Sequence, residues 1–187
     1  MAELATGHLK GVTNGAALVL GSGLGGGIII NGKLFQGSHF QAGELTFLVP
    51  LQLEKLDPSL MQETTLSAIG LITKVNEILA SLDLKDGLLA FKAINAKKEA
   101  VYPIFETYCR NLAITILNLQ TIFDMETFVL GGGISAQSIL IEEVNRQFDK
   151  VHHEIDFIGK IIKRPKIVAC HHNGTNLIGA AYFLKQG

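Results

Sequence analysis

The chain is poor in the residues that define several large protein classes. Cysteine occurs only at Cys109 and Cys170 among 187 residues. Both lie in apolar segments, so no disulfide framework is on offer and reduced, packed thiols are expected, as suits the cytoplasm. No basic run goes beyond Lys97-Lys98 or Lys163-Arg164, and Lys+Arg 16 against Asp+Glu 17 leave a formal net charge of -1. The footprint that neutralises a nucleic-acid backbone is missing, and no nucleic-acid contact is expected. No uninterrupted apolar stretch reaches about 18 residues, and the opening MAELATGHLKG has no cationic segment leading into an apolar run and a cleavage site. Neither an export segment nor a membrane span is expected.

What is present describes a folded domain. Hydrophobic residues make up 48% of the chain and mean hydropathy is +0.32. The length fits a single domain of about 100–200 residues with one core that needs neither staples nor metals.

Residues 1 to 10 read as a short amphipathic helix, with Leu4 and His8 one turn apart and Gly11 at the C-terminal cap position. An opening on so short a helix, with no strand before it, leads us to expect that an N-terminal part is absent from this chain. AALVL at 16–20, IIIN at 28–31 and KLF after Gly32 read as a three-strand meander. Asn31-Gly32 is the dipeptide a type I′ hairpin turn demands, so the last two strands run antiparallel. A helical period then links Leu66, Ile69, Ile72 or Thr73, Asn76 and Leu79 or Ala80, ending near Asp86-Gly87, and another short helix follows.

The longest helix is predicted to begin between Val101 and Pro103. Its stripe runs Ile104, Tyr108, Leu112, Ile116, Leu119 and Phe123, widened by Phe105, Cys109, Ala113 and Leu117. So broad an apolar face needs cover on two sides, by the sheet and by another helix or a second subunit, and a homodimer is expected. TFVL at 127–130, a helix through Leu140, Val144 and Phe148, a strand KIVAC at 166–170 and a closing helix from Thr175 to Leu184 complete an α/β crossover. The order predicts one ribonuclease-H-like α/β unit, a mixed sheet with an antiparallel meander followed by parallel strands and helices. The sugar kinase, heat-shock ATPase and actin group uses two such units with the nucleotide between them.

Three glycine-rich features carry the chemistry. Gly21-Ser22-Gly23-Leu24-Gly25-Gly26-Gly27 satisfies G-x-G-x-x-G, but a dinucleotide site needs a helix directly afterwards, and Ile28-Ile29-Ile30 follows instead. A Walker loop fails for want of Gly-Lys-Ser/Thr. There remains a glycine turn between antiparallel strands, either a structural turn or bulge or a nest whose N–H groups and Ser22 hydroxyl receive phosphate oxygens. Gly131-Gly132-Gly133 passes from strand to helix. It reads either as a tight packing turn or as a place where a nucleotide approaches backbone and helix N-terminus, with Ser135 as cap. Gly37-Ser38-His39-Phe40-Gln41-Ala42-Gly43-Glu44 places one carboxylate after the meander, a solvated loop residue or an acceptor for sugar hydroxyls.

In combination, LGSGLGGGIIINGKLFQGSHFQAGE and LGGGIS resemble the C-terminal part of the ROK family of repressors, open reading frames and sugar kinases, over nearly the whole chain. The resemblance implies that Gly21, Ser22, Gly23, Gly25, Gly26 and Gly27 contact the phosphates of ATP with its magnesium ion. It implies that Glu44, with His39 close by, faces a hexose or β-glucoside, and that Gly131, Gly132 and Gly133 border the adenosine. Where the family continues its Glu with glycine and histidine, this chain has Thr46 and Phe47. Residues 48–70 contain no cysteine or histidine, so no structural zinc is expected. The family's first phosphate motif and the Asn-Asp pair carrying the catalytic base belong upstream of Glu3, so this chain holds no catalytic residue. A kinase lobe inactive alone is the first expectation, and the sugar-sensing domain of a repressor is the alternative.

His152-His153 and His171-His172 lack the carboxylate or cysteine partners of a metal site and read as exposed or capping imidazoles. Asn173 or Thr175 is placed as the cap of the closing helix.

Overall fold

In the computed structural model, which describes residues 1–48, 66–154 and 157–171, the alternating apolar runs become five strands of one sheet. They are Gly15–Leu20 (β1), Leu24–Ile30 (β2), Lys33–Phe35 (β3), Thr127–Gly132 (β4) and Lys166–Ala169 (β5). Their spatial order is β3-β2-β1-β4-β5. β2 pairs antiparallel with both β1 and β3, whereas β4 is parallel to β1 and to β5. The hairpin turn has positive φ at both central residues, 51° at Asn31 and 72° at Gly32, as a type I′ turn requires. This is the expected mixed sheet, an antiparallel meander joined to parallel strands.

The helices are Ala2–Thr6 (α1), Ala68–Ile78 (α2), Gly87–Asn95 (α3), Tyr102–Phe123 (α4), Ser138–His153 (α5) and Ile158–Ile161 (α6). Alternation along the strands divides the core. Leu18, Leu20, Ile28, Phe128 and Leu130 are buried in one cluster with Phe105, Leu112 and Ile116 of α4 and Val144 and Phe148 of α5. Leu9, Ile29 and Val129 form a smaller cluster on the opposite face, which the N-terminal segment covers. A fully buried side chain of this kind contributes about 1.5–3 kcal/mol, so the α4 face dominates the stability of the fold.

The second side of α4 is covered within the chain by α5. The Tyr102 hydroxyl donates to Glu143 at 3.2 Å, and the Arg146 guanidinium bonds to both Glu143 and Glu106. Ile114 and Ile122 of α4 stay exposed.

Several local expectations are corrected. α1 ends at Thr6, and Gly11, with φ +78°, closes the turn after it. α2 stops at Ile78, and Asp86 is not its end but the N-cap of α3, accepting from the Leu89 N–H at 2.9 Å. The buried face of α2 is Ala68, Leu71, Val75 and Asn76, which turns Ile69 outward. His152 is buried, its Nε2 2.7 Å from the Ile162 carbonyl, whereas His153 is exposed as expected. The strand KIVAC at 166–170 closes at Ala169, one residue early. The closing helix from Thr175 to Leu184, with Asn173 and His172, lies outside the described residues.

Candidate functional site

Parallel pairing brings three chain segments to one edge of the sheet. β1 leaves the sheet at Gly21 and β4 at Gly133, in register because Leu20 pairs with Gly132, and β5 ends opposite Leu130. Open α/β sheets receive ligands beyond these carboxyl ends.

The first glycine cluster divides into two parts. Only Gly21-Ser22-Gly23 forms the turn, whereas Gly25, Gly26 and Gly27 belong to β2 and pair with Val19, Leu18 and Ala17. The turn is held from three sides. The Gly21 N–H donates to the Gly23 carbonyl at 3.0 Å, the Gly21 carbonyl accepts from the Ala68 N–H at 2.8 Å, and the Thr46 hydroxyl donates to the Leu24 carbonyl at 3.1 Å. Among the described residues no acceptor meets the backbone N–H of Ser22 or Gly23, and Ser22 is exposed. Two backbone donors thus stand at a solvent-facing turn with no acceptor among the described residues.

Gly26 is glycine for a different reason. A Cβ there would lie 2.8 Å from Leu45 Cδ1 and 3.0 Å from the Gly43 carbonyl, and one on Gly43, at φ +96°, would lie 2.3 Å from the Gly26 carbonyl. The backbone of 43–45 therefore rests directly on β2, which fixes Glu44 at the start of the short 3-10 turn Leu45–Phe47. Glu44 and His39 are both exposed.

In the second cluster Gly131 and Gly132 are the last residues of β4, and Gly132 has φ +99°. Ser135 does not cap the following helix: its buried hydroxyl donates to the Gly132 carbonyl at 2.8 Å, and α5 begins only at Ser138. Cys170 Sγ stands 3.5 Å from that hydroxyl. Cys109 is buried deep under α5. Its thiol is pushed up by burial and by the Glu143 charge, as fits a packing thiol rather than a nucleophile. Among the described residues no three His, Cys, Asp or Glu side chains gather as a metal site, and no helix is long and apolar enough to cross a membrane.

Sequence reasoning missed a cleft of about 810 Å³ between α2 and α4, with Ser22 on its rim and Ile69, Lys74, Glu77, Ile104 and Asn111 among its walls. The signal for it was Ile69, which the helical stripe assigns to the core and which the structure leaves exposed on the cleft.

The ROK family model matches residues 1–187. An N-acetyl-D-glucosamine kinase of Vibrio cholerae is 29% identical over 194 residues, covering 95% of this chain and 60% of that protein. A beta-glucoside kinase of Listeria innocua is 29% identical over 177 residues, covering 90% of this chain and 55% of that protein. The chain thus spans about 60% of the length of the curated relatives it matches. A ROK family glucokinase from Streptomyces griseus, solved with glucose and AMPPNP, shares the fold at a TM-score of 0.81 and 21% identity, covering 100% of this chain and 65% of that one.

Proposed function

Because the chain belongs to the ROK family over its whole length, we propose that it is the nucleotide- and sugar-binding C-terminal lobe of an ATP-dependent sugar kinase acting on a hexose or β-glucoside in the cytoplasm. The observation that carries this reading is the turn at 21–23, with the Ser22 and Gly23 amides meeting no acceptor among the described residues. Phosphoryl transfer demands little covalent chemistry from a protein. It demands fixed donors aimed at the phosphates and a positioned sugar hydroxyl. Ser22 and Gly23 supply such donors, and Gly131–Gly133 leave room on the neighbouring strand end for the same nucleotide. Glu44, held out by the Gly26–Gly43 backbone contact, accepts from sugar hydroxyls.

Magnesium would be held through the nucleotide's phosphates and water, as it usually is in kinases, and it would neutralise phosphate charge. The curated relatives named above are kinases, which favours a transferase over a sugar sensor. A homodimer formed over the exposed Ile114 and Ile122 side of α4 is part of the same proposal.

The carboxylate that would take the sugar hydroxyl's proton belongs, in the family pattern, to a segment this chain does not carry. Loss of a general base costs about 10²–10⁴-fold, and the missing lobe also closes the cleft, so the chain alone is expected to be inactive. Calorimetry with ATP, ADP, glucose, N-acetylglucosamine and a β-glucoside, together with a coupled ADP-release assay, tests this. The expected result is nucleotide binding without measurable turnover. Sugar-dependent turnover by the isolated chain contradicts the inactivity, and absence of any nucleotide binding contradicts the assignment.

A further inference from the structure

Thr46 stands where the chain departs from the family pattern, and the reading above gives it no part. Its half-buried side chain meets the turn at 21–23 from the segment that carries Glu44. The Thr46 hydroxyl donates to the Leu24 carbonyl at 3.1 Å. A Cβ built on Gly23 would lie 2.4 Å from the Thr46 Oγ1, 3.2 Å from its Cγ2 and 3.4 Å from its Cβ, and nothing else is nearer. Gly23 is not in the left-handed region of the backbone. The space that Thr46 fills, and not a special conformation, is therefore what requires glycine there.

The turn is gripped at both ends. Upstream, the Gly21 carbonyl accepts from the Ala68 N–H at 2.8 Å. Downstream, Thr46 holds Leu24, and the Ser22 and Gly23 N–H groups lie between the two anchors. Thr46 is itself fixed, as the middle residue of the 3-10 turn Leu45–Phe47, whose Leu45 is buried against Gly26. A β-branched side chain has few rotamers to lose when it is held in this way. Donors set in place before an anion arrives leave less ordering to be done on binding.

We infer that Thr46 is a positioning residue for the phosphate turn: its hydroxyl and methyl hold Gly23 and Leu24 so that the Ser22 and Gly23 N–H groups are preset for phosphate oxygens, and the segment carrying Glu44 moves as one unit with that turn. The inference rests on the phosphate turn proposed above. Valine at this position keeps the shape but leaves the Leu24 carbonyl without its donor, whereas serine keeps the bond.

The test is calorimetric titration with tripolyphosphate and magnesium of the wild-type chain, Thr46→Val, Thr46→Ser, Thr46→Ala, Gly23→Ala and the double variant Gly23→Ala/Thr46→Ala, at a temperature below the thermal midpoint of each. Thr46→Val is expected to weaken binding about tenfold, and Thr46→Ser to stay within about twofold of wild type. Gly23→Ala and Thr46→Ala should each weaken it about tenfold, yet the double variant should bind about as either single one does, because Thr46→Ala makes room for the new methyl group; independent sites would give about a hundredfold loss. A role confined to stability would lower the midpoint of Thr46→Val and leave its affinity alone. Affinity of Thr46→Val within about twofold of wild type, Thr46→Ser as weak as Thr46→Val, or additive losses at 23 and 46 overturns the inference and leaves the phosphate turn standing. If tripolyphosphate does not bind the wild-type chain, the phosphate turn falls and the inference falls with it.

Discussion

The carbonyl of Leu20 occupies the space that any side chain on Gly132 would need, 2.1 Å from an ideal Cβ, and Gly132 itself has φ +99°. Two strand ends are thereby locked together where β1 and β4 leave the sheet. Gly132→Ala is expected to destabilise the domain by about 2 kcal/mol or more, since both the left-handed backbone and a backbone clash oppose it. Thermal unfolding should show a midpoint lower by about 4–8 °C for a domain of this size. Gly21→Ala, which meets nothing within 4 Å, should leave the midpoint close to wild type.

A second close approach predicts a loop effect. Gly43 lies against the Gly26 carbonyl with φ +96°, so Gly43→Ala must lift the 43–45 segment off β2. Stability should fall by about 1–3 kcal/mol. Chemical denaturation measures the loss, and solvent exchange at the Leu45 amide, which donates to the Gly43 carbonyl at 2.8 Å, should accelerate.

Glu3 is buried, and its carboxylate accepts from the backbone N–H of His8 at 2.9 Å and of His171 at 2.8 Å. It ties α1 to the end of β5 across the sheet. With charged hydrogen bonds contributing about 1.5–3 kcal/mol each, loss of the two in Glu3→Ala should cost about 3–6 kcal/mol by urea unfolding. Equal stability of this variant would show that the carboxylate is not a tie.

Glu143 predicts an acid limb of stability. Burial pushes its carboxyl up, but bonds from Arg146, Gln147 and Tyr102, with the Arg146 charge, outweigh burial and hold it below its ordinary value of 4.5. A carboxyl lowered in the folded state adds stability that is fully present above its unfolded value and lost as pH falls through the folded one. Unfolding free energy should therefore decline below about pH 4.5, and Glu143→Gln should flatten that decline while lowering stability at pH 7.

Much of this architecture is legible in the sequence. Asn31-Gly32 specified its turn chemically, the α4 stripe through Leu112 and Ile116 specified a buried face, and TFVL and KIVAC specified parallel strands by their unbroken apolarity. The glycine run was harder to divide, because glycine has no side chain to reveal strand alternation. That Gly26 is a strand residue depends on Leu45 and Gly43 packing onto it, a contact 17 to 19 residues away in sequence. The α2 face was misjudged at Ile69, which the stripe turns inward and which stands exposed on the cleft, whereas Asn76 lies on the buried face as read, held by its bonds to the Leu84 and Asp86 carbonyls. The cleft exists only once α2 is pinned to Gly21, and no local pattern announces that pairing.

The central claim, that phosphates are received at 21–23, is tested most directly by amide spectra of the nitrogen-15-labelled chain titrated with magnesium-ATP. The account predicts saturable shifts largest at Ser22 and Gly23, reproduced there by tripolyphosphate. Titration that leaves those two amides unmoved, whether or not others respond, would contradict it.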